Sequence, residues 1–294
     1  MEKIGFIGLG IMGGPMAANL VNAGYDVTGF ARSSSSQERL EKAGAKSAGS
    51  IAETVDGADV VITMLPDSPE VDEVVLGEDG VLASAGPDLL LIDMSTIAPE
   101  TSVAVAERAK ESGVQVLDAP VSGGEPGAIE GSLSIMVGGD AEAFEKARPI
   151  LEHLGKTIVH VGEHGAGQTV KAANQLLVAG IIGLVSEAIV LLEASGVDGE
   201  RGLEVLAGGL AGNTVLDRKA ASMLAREFTP GFRIDLHHKD MGIALATART
   251  AGVALPVTGV VAQLMAAARA SGHGSLDHSA LLNVIEQLSG RDDA

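Results

Sequence analysis

The sequence predicts an α/β chain, with a doubly wound, mainly parallel sheet over residues 1–162 and an all-helical region with one long helix over 163–294. Three observations carry this. Short β-branched runs alternate with helical patterns through the first half, the rhythm of a parallel sheet covered on both faces. A glycine-rich turn joins the first run to the first helical pattern, and after Gly165 the strand rhythm stops.

The predicted strands, in order, are Ile4–Ile7, Asp26–Phe30, Val60–Met64, Leu89–Asp93, Val114–Asp118, Leu133–Val137 and Ile158–Val161. Start signals stand between them. Ser50-Ile-Ala-Glu53 reads as a capping box, and Ser68-Pro69 as an N-cap with proline at the first helical position. Gly24, Gly44 and Gly113 each follow a helical pattern, where a left-handed C-cap belongs. In the second half, Gln168 to Ser195 carries no proline and only two glycines, and predicts a helix roughly 40 Å long. Further helices are predicted around Glu200–Ala207, Val215–Ala225, Lys239–Ala251 and Pro256–Ala270.

Composition narrows the function. The 294 residues suffice for two ordinary domains, and 46% apolar against 20% charged is globular. Only 2% of the residues are aromatic, so the core is built from aliphatic side chains and Met. With no cysteine there is no disulfide, thiolate metal site or cysteine nucleophile. A formal charge of −19 repels nucleic acid and anionic membranes, which disfavours both as partners. Met1-Glu2-Lys3 does not open a signal peptide. The most apolar run, Leu176 to Val185, is shorter than the roughly 20 residues of a membrane span. A cytoplasmic protein is expected. The seven histidines show no metal-ligand spacing, and His237-His238 point to different helix faces.

The chemistry begins at Gly8-Leu9-Gly10-Ile11-Met12-Gly13, a Gly-x-Gly-x-x-Gly directly between a strand and a helix. Gly8 permits the tight turn, Gly10 lets the backbone approach a pyrophosphate, and Gly13 allows close helix–sheet packing. The helix N-terminus then meets the phosphates with unpaired N–H groups. This is a Rossmann dinucleotide fingerprint in its confirming context. The second strand ends without an acidic residue for a ribose 2′-hydroxyl. Arg32, followed by several serines, suits a 2′-phosphate instead, so NADP is expected over NAD. Met64, Leu65, Ser95 and Thr96 follow strand ends and are expected on the nicotinamide side. Ser95 and Thr96 can alternatively cap the helix that starts near Pro99.

Ser122-Gly123-Gly124 follows another strand end, where consecutive N–H groups can cradle a carboxylate. At the start of the long helix, Lys171, Asn174 and Gln175 share one face. Lys171 stands among Val170, Ala172, Ala173, Leu176 and Leu177, an apolar setting that draws a lysine toward acid–base duty.

Together, Gly-Phe-Ile-Gly-Leu-Gly-Ile-Met-Gly (5–13), Asp-Ala-Pro-Val-Ser-Gly-Gly (118–124), Gly-Ala-Gly-Gln-Thr-Val-Lys (165–171) and Lys239-Asp240-Met241 resemble the β-hydroxyacid dehydrogenase family over essentially the whole chain. The resemblance implies hydride transfer between a nicotinamide cofactor and a small carboxylated aldehyde or hydroxy acid. It implies Lys171 as the catalytic lysine, Ser122, Gly123 and Gly124 as the substrate anchor, and Lys239 as a cofactor-side lysine. Many members carry Asn four residues after the lysine; here that position is Gln175 with Asn174 beside it, and either amide can meet the substrate. It also implies a homodimer or homotetramer built through the long helix. The segments 208–217 and 230–237 are most similar to the branch acting on tartronate semialdehyde. The 3-hydroxyisobutyrate and glyoxylate/succinic semialdehyde branches are the alternatives. A dinucleotide-binding module without chemistry is the rival from another class, and Lys171 argues against it.

Overall fold

The computed structural model describes residues 2–291, with Ser34 and Arg39 described by their backbone. The chain forms two compact units, Met1–Lys171 and Ala172–Ala294.

The first unit runs β1 (Lys3–Ile7), α1 (Gly13–Asn22), β2 (Asp26–Phe30), α2 (Ser34–Lys42), β3 (Lys46–Ser47), α3 (Ile51–Val55), β4 (Val60–Thr63), α4 (Ser68–Leu76), α5 (Val81–Ser84), β5 (Leu90–Asp93), α6 (Pro99–Lys110), β6 (Gln115–Asp118), β7 (Val121–Ser122), α7 (Gly124–Glu130), β8 (Leu133–Gly139), α8 (Ala141–Leu151) and β9 (Gly155–Gly162). It closes with the first turns of the long helix α9 (Ala166–Ala194). One sheet takes the order β3-β2-β1-β4-β5-β6-β8-β7, with β9 beside β8. The six strands from β3 to β6 are parallel, and β8 runs antiparallel to β6 and β7.

Alternate strand residues feed two cores, one on each face of the sheet. Ile4, Phe6, Ile62, Ile92 and Leu117 pack with Met16 and Leu20 of α1 and with Phe144 and Ile150 of α8. Val61, Leu91 and Val116 pack with Val71 and Val75 of α4 and Val105 of α6. This is the doubly wound arrangement that the sequence predicts. Its register matters for function. Ile7 is level with Phe30 and with Thr63, Thr63 with Asp93, and Asp93 with Asp118. The carboxyl ends of five strands therefore form one row, and the strand order reverses between β1 and β4, where ligands of such sheets bind.

Every predicted strand is present. Two two-residue strands, β3 and β7, go unpredicted because so short a piece carries no alternation to detect. Gly24, Gly44 and Gly113 all take positive φ, as expected of C-caps. Ser50 does cap α3, accepting from Glu53 N at 3.1 Å, but the Glu53 carboxylate accepts from Gly49 N rather than completing the box on Ser50. At α4 the expected cap is displaced by one residue. Asp67 accepts from Ser68 N, and the Ser68 hydroxyl instead accepts from Ala98 N at 3.1 Å.

The second unit holds the rest of α9, then α10 (Gly199–Ala207), α11 (Thr214–Leu224), α12 (Ile234–Ala251), α13 (Pro256–Ala268) and α14 (Leu281–Leu288). The last is unpredicted, since two turns are too few for the periodic signal to separate from chance. Among the described residues α9 is the one helix long and apolar enough to cross a membrane, which corrects the reading of its apolar run as too brief. Ala179, Ile182, Val185, Ile189 and Val190 of this helix are buried in the helical core. On its other side Leu177, Leu184 and Leu191 are 61%, 66% and 67% exposed at seven-residue intervals.

Candidate active site

The glycine turn behaves as its residue types require. Gly8 has φ +100°, and a Cβ there would lie 2.3 Å from Met64 O. At Gly13 a Cβ would lie 1.9 Å from Gly8 O, so α1 starts flush against the turn. At Gly10 a Cβ would meet nothing within 4 Å, which leaves the backbone open to a ligand. The first turn of α1 carries no acidic side chain and Met12 supplies no capping bond, so no side chain there offsets the positive end of its dipole. These features fit a dinucleotide pyrophosphate. A cleft of about 230 Å³ adjoins the turn, bounded by Gly10, Ile11, Gly14, Ser36, Leu40 and Glu125. Arg32 is exposed, two residues beyond the end of β2, and the Ser33 and Ser35 hydroxyls beside it share a 2.8 Å hydrogen bond.

A buried polar network underlies the row of strand ends. Asp93 Oδ1 accepts from the hydroxyls of Thr63 at 2.7 Å and Ser95 at 2.6 Å. Ser95 Oγ in turn accepts from Leu65 N at 2.8 Å. Ser95 is fully enclosed, so its side chain supports the Met64–Leu65 backbone rather than lining the surface expected for a cofactor. Met64, Leu65 and Thr96 are half-buried. Neither Ser95 nor Thr96 caps α6, whose N-cap is Ala98. Gln168 locks the first turn of α9 to the same segment, its Nε2 donating to Ser95 O at 2.8 Å and its Oε1 accepting from Ile97 N at 3.1 Å.

Asp118 completes the network. Its Oδ1 accepts from Gly165 N at 2.8 Å and its Oδ2 from Gln168 N at 3.1 Å. Burial pushes its pKa up to about 6, against these N–H donors, and the nearby Asp93 adds to the rise. Lys171 follows one turn later. It is 7% exposed, and its Nζ donates to Val121 O at 2.7 Å, one residue before Ser122. The expected apolar surround is partly wrong, because Val170 and Leu177 face outward; a β7 carbonyl receives the ammonium. Gly123 and Gly124 take φ of +140° and +65°, which turns the chain sharply after Ser122 into α7. Asn19 of α1 donates to Ala128 O at 2.8 Å and so ties the dinucleotide helix to α7. The structure thus brings Lys171 and the Ser122–Gly124 turn together.

Asn174, Gln175 and Lys239 belong to the second unit. The buried Gln175 donates through Nε2 to Asp240 Oδ2 and accepts through Oε1 from Asn174 Nδ2 at 2.8 Å. Lys239 Nζ lies 3.0 Å from Asp240 Oδ1. Gln175 is therefore held at both ends of its amide, while Asn174 remains half-buried. His237 is fully buried, with Nε2 3.1 Å from Gln175 O and Nδ1 2.9 Å from Nδ1 of His278. Among the described residues no group of three or more His, Asp or Glu side chains is arranged to hold a metal ion.

Asp93, Asp118, Gln168 and Asp240 were not singled out from the sequence. Two of them left a signal there, as acids directly ending apolar strand runs at the edge where ligands bind.

A glycine turn at the reversal point of a doubly wound sheet, with a buried lysine beside a Ser-Gly-Gly turn, defines an NAD(P)-dependent oxidoreductase. Two family models cover the chain. One, described as the NAD binding domain of 6-phosphogluconate dehydrogenase, matches residues 3–162. The other, described as NAD-binding of NADP-dependent 3-hydroxyisobutyrate dehydrogenase, matches residues 165–285. The chain is 42% identical over 287 residues to the 2-hydroxy-3-oxopropionate reductase of Escherichia coli, covering 98% of each. It is 41% identical to the 3-hydroxyisobutyrate dehydrogenase of Pseudomonas aeruginosa, covering 96% of this chain and 97% of that one. Among solved structures it is similar to the Mycobacterium tuberculosis 3-hydroxyisobutyrate dehydrogenase with L-serine, at TM-score 0.88 and 36% identity, covering 97% and 99% of the two chains. The protein belongs to the β-hydroxyacid dehydrogenase family.

Proposed function

We propose that this enzyme reduces tartronate semialdehyde (2-hydroxy-3-oxopropanoate) to glycerate, with NADPH preferred over NADH and Lys171 as general acid. One observation carries the reading: Lys171 is buried with its ammonium on the carbonyl that directly precedes the Ser122–Gly124 turn. The substrate carboxylate rests on the Ser122 hydroxyl and the N–H groups of Gly123 and Gly124. Its aldehyde oxygen meets Lys171, which donates a proton as negative charge develops there, and in the oxidative direction the neutral amine takes that proton back. Asn174 or Gln175 adds an amide; the engagement of Gln175 with Asp240 and Asn174 favours Asn174 as the group that turns toward substrate. Gly8, Gly10, Ile11, Met12 and Gly13 hold the dinucleotide, Met64, Leu65 and Thr96 flank it, and Lys239 is its further cationic contact. When bound, that group supplies the hydride. Arg32 and its neighbouring serines favour a 2′-phosphate over a bare ribose.

The similarity to a 2-hydroxy-3-oxopropionate reductase at 42% identity supports the substrate, and that to a 3-hydroxyisobutyrate dehydrogenase at 41% makes methylmalonate semialdehyde the nearest competitor. Oxidation of NADPH and NADH is measured with tartronate, succinic and methylmalonate semialdehydes. Preference for tartronate semialdehyde with NADPH is expected, and better turnover of another aldehyde discards the substrate. Lys171→Ala is expected to lose roughly two to four orders of magnitude in kcat, and near-normal turnover with intact cofactor binding overturns the role of the lysine. The heptad row Leu177, Leu184 and Leu191 supports a homo-oligomer joined through α9. A monomer in sedimentation overturns that assembly.

A further inference from the structure

The long helix α9 starts in an unusual way. The residue just before it is Gly165, which has no side chain with which to cap. In an ordinary capping box, the N-cap side chain takes the N–H three residues on, and the side chain at that third position takes the N-cap N–H. Here one carboxylate from another element takes both, Asp118 accepting from Gly165 N and Gln168 N. The side chain that would have completed the box, Gln168, is turned instead to Ser95 O and Ile97 N.

The socket is shaped around this carboxylate. A Cβ on Gly138 would lie 2.6 Å from Asp118 Oδ1, and one on Gly167 would lie 2.8 Å from Oδ2 and 2.7 Å from Asp118 O. Two glycines from two elements thus vacate the volume that it fills. Three residues after Asp118, Val121 O receives the Lys171 ammonium. The chain segment 118–121 therefore grips α9 twice, at its first turn through Asp118 and at Lys171 through Val121. With both ties closed, the lysine has a fixed height above the Ser122–Gly124 turn.

The geometry points to Asp118, assisted by Gln168, as the positioning residue that sets Lys171 against the substrate turn. This rests on the acid–base reading of Lys171 given above. The carboxylate is well suited to the task because it is aimed at the positive end of a 29-residue helix, and among the described residues its hydrogen-bond partners are backbone N–H groups. Around it, titratable groups are carried by β5 (Asp93), by the turn before α9 (Glu163 and His164), by α9 (Lys171), by α6 (Glu100, Glu107, Arg108 and Lys110) and by α8 (Glu142, Glu145, Lys146 and Arg148), while β8 contributes none. Burial lowers the pKa of His164 below the ordinary imidazole value.

Asp118→Asn keeps the shape but replaces one accepting oxygen with a donor that faces an N–H. A lysine displaced by about 1 Å can cost about 100-fold in kcat, and a loss of that order is expected with the NADPH dissociation constant unchanged. The pH profile separates positioning from mere support. In the reductive direction Lys171 is protonated at low pH and contributes no acid limb. Protonation of Asp118 near its pKa of about 6 does, so kcat falls below that pH in the unsubstituted enzyme and the limb disappears in Asp118→Asn. Gln168→Ala, which leaves the carboxylate in place, loses kcat to a smaller degree and keeps the limb. Normal kcat with the acid limb retained in Asp118→Asn overturns the inference. Should that variant not fold, an unchanged kcat in Gln168→Ala overturns it. Lys171→Ala is run beside them: activity surviving there defeats the reading of the lysine, whereas a dead Lys171→Ala beside a normal Asp118→Asn defeats the positioning role alone.

Discussion

Two aspartates, one in each unit, are enclosed to a similar degree, yet their pKa values move in opposite directions. Asp118 accepts from backbone N–H groups at the start of α9, and its pKa is raised to about 6 by desolvation. Asp277 likewise accepts from backbone, at Gly231 N and Phe232 N, and also from the Ser279 hydroxyl at 2.7 Å. It differs in having Lys219 Nζ at 2.8 and 2.9 Å from its two oxygens and His278 beside it. Burial alone would raise its pKa too, but His278, Lys219 and Ser279 carry it well below the ordinary carboxylate range. The contrast separates two uses of a buried charge. A carboxylate with its own cation joins segments 219, 231 and 277 and asks nothing of the solvent. One held by N–H dipoles alone remains titratable near neutrality, a property that structural support does not require and a reacting centre can use.

The largest test of this contrast is Asp277→Ala. It strands the Lys219 ammonium and the backbone N–H groups of Gly231, Phe232 and Ser279, and breaking such a pair costs about 3–5 kcal/mol. Denaturant unfolding measures it, and a loss under about 1 kcal/mol, as for exposed pairs, would dissolve the contrast. The next effect is one of sign. Asp277 has a lowered pKa, so its stabilisation is present above the unfolded value near 4 and lost as pH falls below it. Asp118 has a raised pKa, so the protein loses stability as pH rises from about 4 to about 6. Relative to the unsubstituted protein, Asp118→Asn should therefore gain stability between pH 4 and 7, by up to roughly 3 kcal/mol. Asp277→Asn should lose ground as pH rises from 2 to 5. Parallel slopes in the two variants would show that the aspartates are alike after all. The smallest effect is a baseline: Asn213 caps α11 locally, accepting from Leu216 N at 2.9 Å. Asn213→Ala should cost about 1 kcal/mol, equally at every pH tested.

What could be read in advance follows the range of the interactions. Gly8, Gly10 and Gly13 act within one turn, and each meets the constraint that its spacing implies. Strands and long helices announce themselves through periodicity, so the doubly wound sheet and α9 were legible. Lys171 and Ser122–Gly124 were legible as separate motifs, but not the carbonyl of Val121 that joins them. The ties made by Asp118 and Gln168 span 47 to 73 residues and that of Ser95 to Leu65 spans 30, and no local pattern signals which distant N–H a strand-end acid will meet. Ser95 shows the cost. As a hydroxyl at a strand end it read as a cofactor contact or a helix cap; it does not cap α6, and its hydroxyl is buried between Asp93 and Leu65 N.

The borrowed cap of α9 has a consequence for assembly. Asp118 precedes Gly165 by 47 residues, and its socket is also walled by Gly138 on β8. The first turn of the helix cannot settle until β6 and β8 have paired, however readily the apolar turns beyond it wind. Formation of the lysine site is thereby conditional on a contact of high sequence separation, and we expect it late in folding. A chain whose sheet is still incomplete carries no correctly seated Lys171, and the appearance of activity during refolding reports the closure of that sheet.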